Sequence, residues 1–172
     1  GNTIDGNTQN GIRMTVETAG NYTSFFNNAN IARNTITNNK DNGLWLRNAP
    51  NLSPSAWATG GYVGHNTVSN NGEASANPSG GIVTAGNDGI SIEHNYCDNN
   101  YVRGGQISTG ATKNAKVRYN ISINALSAST VDGNCMFADE WTDDSEFYGN
   151  WLENPETLAA DNSGTCFAFS LK

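Results

Sequence analysis

Six times along the chain an asparagine opens a short alternating run. The copies are NTIDG at Asn2, NTITN at Asn34, NTVSN at Asn66, NYCDN at Asn95, NISIN at Asn120 and NWLEN at Asn150. Their spacings are 32, 32, 29, 25 and 30 residues. Each complete copy is preceded by another alternating run: NIAR, YVGH, ISIEH, KVRY or EFYG. After a polar loop a third run follows, usually opened by glycine: GIRMTV, GLWL, GGIVT, GGQIS, GNCMF and GTCFAF. Within every run the apolar residues alternate with period two rather than 3.6, so the chain reads as strands and offers no helix of useful length. One unit is therefore strand, asparagine, strand, loop, glycine-led strand, loop.

A repeat of this length with three short strands per unit predicts a solenoid, because a single unit cannot bury its own apolar face. Sandwich strands would recur every 8 to 12 residues with hairpin turns between them. The expected fold is all-β, a parallel β-helix with one strand per unit on each of three sheets and about 4.8 Å between units. Alternate side chains point into the bore. In the glycine-led strands the expected inward residues are Ile12, Met14, Leu44, Leu46, Ile82, Cys135, Phe137, Cys166 and Ala168. After the asparagine they are Ile4, Ile36, Val68, Cys97 and either Ile121 or Ile123. At the corner itself asparagine tolerates left-handed backbone, and its amide both donates and accepts. Stacked equivalents are thus expected to form a ladder along the axis.

Composition agrees with an ordered chain. Of 172 residues, 28 are asparagine, 19 glycine and only 4 proline, while the 36% that are apolar fall in regular patterns. A net charge of −7 argues against nucleic acid or an anionic membrane as partner. No apolar stretch approaches the twenty or so residues of a membrane-spanning helix. The neutral, hydroxyl- and amide-rich surface is of a kind common outside cells. The sequence opens on GNTIDGN, within its own repeat. It is expected to be one β-helix domain over residues 1–172, either a segment of a longer chain or an uncapped stacking unit. Cys97, Cys135 and Cys166 fit no metal spacing, and each replaces an aliphatic in an inward stack. Cys135 and Cys166 occupy equivalent places in successive units, and burial as small hydrophobes is favoured over a strained disulfide.

The stretch VRYNISIN…DGNCMF, residues 117–137, closely resembles the repeat of the right-handed parallel β-helix superfamily, which includes pectate-lyase-like proteins, polysaccharide epimerases and phage tailspikes. The resemblance covers nearly the whole chain, in about five to six turns. It implies the right-handed hand and an extracellular or virion-surface location. Because this fold hosts lyases, hydrolases, epimerases, adhesins and fibres, it does not by itself imply one activity. The Asn-Thr-Asp and Gly-His-Gly motifs of its hydrolases and the Asp-Pro-His-Glu motif of its epimerases are missing here. The only adjacent aspartates are Asp143 and Asp144.

In that superfamily the glycine-led strand and its flanking loops form the ligand face. The outward residues here are then Arg13, Trp45, Arg47 and Gln106, with Asp139, Glu140 and Trp141 where the fifth such strand enters its loop. Trp57, in the long loop APNLSPSAWATGG, overhangs the same face in this reading. Tryptophans stack on sugar rings and arginines pair with uronate carboxylates, so the implied partner is a polysaccharide, an acidic one above all. Asp139, Glu140 and Arg47 are the candidate catalytic groups for a lyase or hydrolase. Asp139, Glu140, Asp143 and Asp144 are the candidate ligands for Ca²⁺. Against these stand plainer readings: the acidic run is a solvated loop, and His65 and His94 are a stacked polar pair at the corner. Lys116, Arg118 and Arg103 are taken as solubilising surface charge. A different function class, a fibre, filament or adhesin subunit assembling end to end, follows from the exposed strand edges of any uncapped stack.

Overall fold

A computed structural model of the chain describes residues 1–16, 26–48, 57–73, 80–127, 133–139, 141–153 and 166–169. These residues are all-β, with parallel pairing throughout and no helix. Three principal sheets take one strand from each successive unit. The first sheet holds Asn30–Ala32, Tyr62–Gly64, Ser91–Glu93, Lys116–Arg118 and Glu146–Tyr148. The second holds Thr3–Asp5, Thr35–Thr37, Thr67–Ser69, Tyr96–Asp98, Ile121–Ile123 and Trp151–Glu153. The third, longest in the middle units, holds Ile12–Val16, Leu44–Asn48, Ile82–Asp88, Gly105–Lys113, Asn134–Ala138 and Phe167–Phe169. This is the layered parallel arrangement compatible with a β-helix.

The core follows from register. On the first sheet Ile31, Val63, Ile92, Val117 and Phe147 stack in line, and on the second Ile4, Ile36, Val68 and Cys97 do the same. On the third sheet the matching column is Ile12, Leu44, Ile82, Ile107, Met136 and Phe167. The three columns meet in one apolar cluster. Each apolar side chain packs on its equivalents above and below, so the period-two pattern of each short strand is repaid by all its neighbours.

The asparagine ladder is present. Asn34, Asn66 and Asn95 each donate from Nδ2 to the Oδ1 of the next corner asparagine, at 3.1, 3.0 and 3.0 Å. Asn2 and Asn120 extend the series to Asn34 and Asn150. The left-handed residue, however, is not the ladder asparagine. Positive φ falls one position earlier, at Arg33 (60°), His65 (54°), His94 (56°), Tyr119 (55°) and Gly149 (64°). The asparagine is therefore held by its hydrogen bonds, while its neighbour makes the bend.

A second ladder runs at the next corner. Asn7, Asn39 and Asn71 each donate to the following Oδ1, at 2.7, 2.8 and 2.9 Å, ending on Asn100. The corresponding place in the following unit is Ala125, which has no amide. Gln106 fills the gap: its Oε1 accepts from Asn100 at 2.7 Å and its Nε2 donates to Ile123 O at 2.6 Å. The ligand-face expectation for Gln106 is thus overturned, since its side chain is wholly buried in the bore. The residue expected inward at Ile121 or Ile123 is instead Ser122, buried, with its hydroxyl donating to Cys135 O at 2.8 Å.

The last two glycine-led strands are also shifted by one residue from the sequence reading. Met136, not Phe137, joins the apolar column, and Phe167, not Cys166 or Ala168, continues it. In the fifth strand Cys135 holds the place that glycine takes before Leu44 and Ile82, and a one-residue shift turns every side chain to the other face. Cys166 is exposed, Phe137 faces outward, and Cys97 and Cys135 are buried free thiols.

Candidate functional site

Because the third-sheet strands alternate, the residues between the inward columns project outward in register. Arg13, Trp45, Val83, Ser108 and Phe137 align along the outer face, and Arg47 pairs with Ala85 one step further on. Small residues in the middle units, flanked by large ones, leave a groove of about 380 Å³. Its walls include Trp45, Arg47, Arg103, Phe137, Asp139 and Trp141. The Arg47 guanidinium lies over the Trp45 ring, 6.0 Å from its centroid.

The far wall is built by a corner. Gly86 (72°) and Ala111 (45°) adopt left-handed backbone within their third-sheet strands, and Trp141 (61°) does so past the end of Asn134–Ala138. For a bulky residue such as tryptophan this conformation costs on the order of 1 kcal/mol or more. The hydrogen bond from Thr112 N to Trp141 O, 3.2 Å, ties the bend to the preceding unit. Trp141 consequently stands 56% exposed at the rim. Asp139 is placed by its N–H donating to Thr109 O at 2.7 Å, and its Cβ would lie 3.4 Å from one built on Gly110.

Apart from Gln106, the nine expected site residues divide as follows. Trp45, Arg47, Asp139 and Trp141 are brought together in the groove. Arg13 is exposed beside Trp45 in the first unit, donating to Thr15 Oγ1 at 3.3 Å, and is not part of the groove wall. Trp57 is buried, so it does not overhang the face. Glu140 lies outside the described residues. Among the described residues no three His, Cys, Asp or Glu side chains gather into a metal-binding group. Asp143 Oδ1 instead accepts from Asp144 N at 3.0 Å, closing a local turn. The groove residues missed by the sequence reading are Arg103 and Phe137. Arg103 stands immediately before the glycine pair of its strand, a position that flanks the outer face, whereas Phe137 was hidden by the register slip.

Away from the groove, the His65 and His94 rings stack at 4.9 Å with 4° between planes, and Tyr119 continues the pile at 5.3 Å. Arg118 joins Glu93 and donates to Tyr148 Oη at 2.8 Å. Those two hydrogen bonds, Glu93 first, raise the Arg118 pKa and keep its charge fixed. Arg118 thus binds neighbouring units together rather than only solubilising the surface.

No protein-family model matches the chain, and no curated protein or solved structure shows significant similarity to it.

Proposed function

We propose that the chain is a right-handed parallel β-helix of about five to six turns whose third-sheet groove binds an acidic polysaccharide, outside the cell or on a virion surface. The hand is supported by the strong preference of parallel crossovers for the right-handed connection. One observation carries the binding reading: Trp45 and Trp141 flank a groove that also holds Arg47 and Arg103. Aromatic faces take the apolar faces of sugar rings, and guanidinium groups pair with carboxylates in a fixed two-pronged geometry. With a net charge of −7 on the whole chain opposing a polyanion, those two local arginines decide whether it binds.

Calorimetry with oligogalacturonate tests this. Arg47→Ala is expected to weaken binding by about tenfold or more, the range for losing a charged hydrogen-bonded pair, and added salt to weaken it further. No binding by the wild-type protein, or equal binding by Arg47→Ala, contradicts the reading. Cleavage is its extension: Asp139 and Arg47 share the groove, and Glu140 follows in sequence, as groups for proton transfer beside a uronate carboxylate. Appearance of unsaturated, ultraviolet-absorbing product supports a lyase, and its absence restricts the groove to binding.

A second reading, a structural module stacked end to end, is favoured by the polarity of the ladders. In the first ladder Asn2, Asn34, Asn66, Asn95 and Asn120 each donate to the asparagine of the following unit. Any two such stacks are therefore complementary head to tail, which makes the contact heterologous and open-ended. Sedimentation velocity over a concentration series distinguishes a growing series of species from a single one.

A further inference from the structure

The outer face of the second sheet changes character along the stack. In the early units the first outward residue of each strand is Thr3, Thr35 or Thr67; in register with them the later units carry Tyr96, Ile121 and Trp151. These three are 37%, 42% and 64% exposed, and they form one apolar strip on adjacent strands. An exposed strip of this kind on an otherwise polar surface marks an interaction site.

The geometry of the rings indicates the occupant. Tyr96 Oη donates to Asp98 Oδ2 at 3.2 Å, and Trp151 Nε1 donates to Glu153 Oε2 at 3.2 Å. In both cases the acceptor is two residues further along the same strand, and therefore on the same face. Each hydrogen bond draws its ring along the strand toward the carboxylate, while 37% of Tyr96 and 64% of Trp151 stay open to solvent. The same arrangement occurs on two strands separated by one other, about 9.6 Å apart at ordinary strand spacing. Ile121 fills the interval, and each ring carries a carboxylate at its edge. The carboxylates accept hydrogen bonds from hydroxyl groups and repel anions.

We propose that Tyr96, Ile121 and Trp151 form a second binding platform, distinct from the groove, that takes a neutral hexose oligosaccharide by ring stacking, with Asp98 and Glu153 accepting from its hydroxyls. The acidic edges set it against polyuronates, whereas the arginine-bearing groove favours them. The platform rests on no property of the groove, so either site can fail without the other.

Calorimetric titration with cellohexaose tests the platform. The wild-type protein is expected to bind it, Trp151→Ala to weaken binding by about tenfold or more, as for a central aromatic anchor, and Trp151→Phe to recover most of the loss. Arg47→Ala should leave cellohexaose binding unchanged. Thermal unfolding of each variant checks that the exposed substitution leaves the fold intact. No binding of cellohexaose, or binding indifferent to Trp151→Ala, overturns the proposal. So does loss of self-association in Trp151→Ala without any sugar effect, which would make the strip a contact between copies.

Discussion

The Asn95 carboxamide accepts from both the backbone N–H and Nδ2 of Asn66, each at 3.0 Å, and donates to Val63 O and Asn120 Oδ1 at 2.9 and 3.0 Å. All of this is buried, so Asn95→Ala leaves several polar groups without partners. The expected loss is about 3 kcal/mol, read from the denaturation midpoint, with the same substitution at exposed Asn30 nearly neutral. The buried thiols make a second residue-scale case. Burial, then the adjacent Cys166, pushes the Cys135 thiol up to about 12 from an ordinary value near 9. Between those two values the unfolded thiol releases its proton while the folded one keeps it. Stability therefore falls as pH rises through that window, and Cys135→Ala should show a shallower fall. In native protein a thiol reagent should modify exposed Cys166 and spare Cys97 and Cys135.

Among the elements, the glycine-led strand shows why a short motif has to be read with its neighbours. A Cβ on Gly43 would lie 2.4 Å from Val68 Cγ1 and 2.7 Å from Gly81 O, so this glycine is required by the side chain and backbone of the next unit. Gly43→Ala should cost about 1–3 kcal/mol. Gly110→Ala, whose added Cβ meets the Asp139 side chain no closer than 3.4 Å, should fall within about 0.5 kcal/mol of wild type. The early strands were legible because each glycine is followed directly by the inward aliphatic: Leu44 after Gly43, Ile82 after Gly81. Past the middle, the glycine position is taken by Gln106 and then Cys135, and the pattern slips. Three exchanges compensate one another there. Gln106 replaces glycine, Ala125 replaces the ladder asparagine, and Ser122 replaces the inward aliphatic, so that one amide satisfies the corner from another strand. No single substitution announces this in sequence, since its sense lies in contacts between strands, 6 to 17 residues apart. The first asparagine ladder, by contrast, was visible because all its members keep one residue type and one place.

At the scale of the molecule, three outer faces carry three chemistries: the arginine-bearing groove on the third sheet, the aromatic platform on the second, and the stacked His65, His94 and Tyr119 rings at the corner before it. Trp45 and Arg47 were readable as outward-facing from alternation alone, because outward positions of a strand follow once its inward ones are known; that this face is a binding face was an implication of the superfamily resemblance. Trp141 owes its place to a left-handed bend that no local pattern predicts. The chain's 4 tryptophans separate these faces: Trp45 and Trp141 in the groove, Trp57 buried, Trp151 on the second sheet. Their indole N–H resonances therefore report each site independently. Titrating labelled protein with oligogalacturonate should shift the Trp45 and Trp141 signals and leave those of Trp57 and Trp151 in place. Unmoved Trp45 and Trp141 signals at saturating oligogalacturonate would contradict the groove as the site of acidic polysaccharide binding.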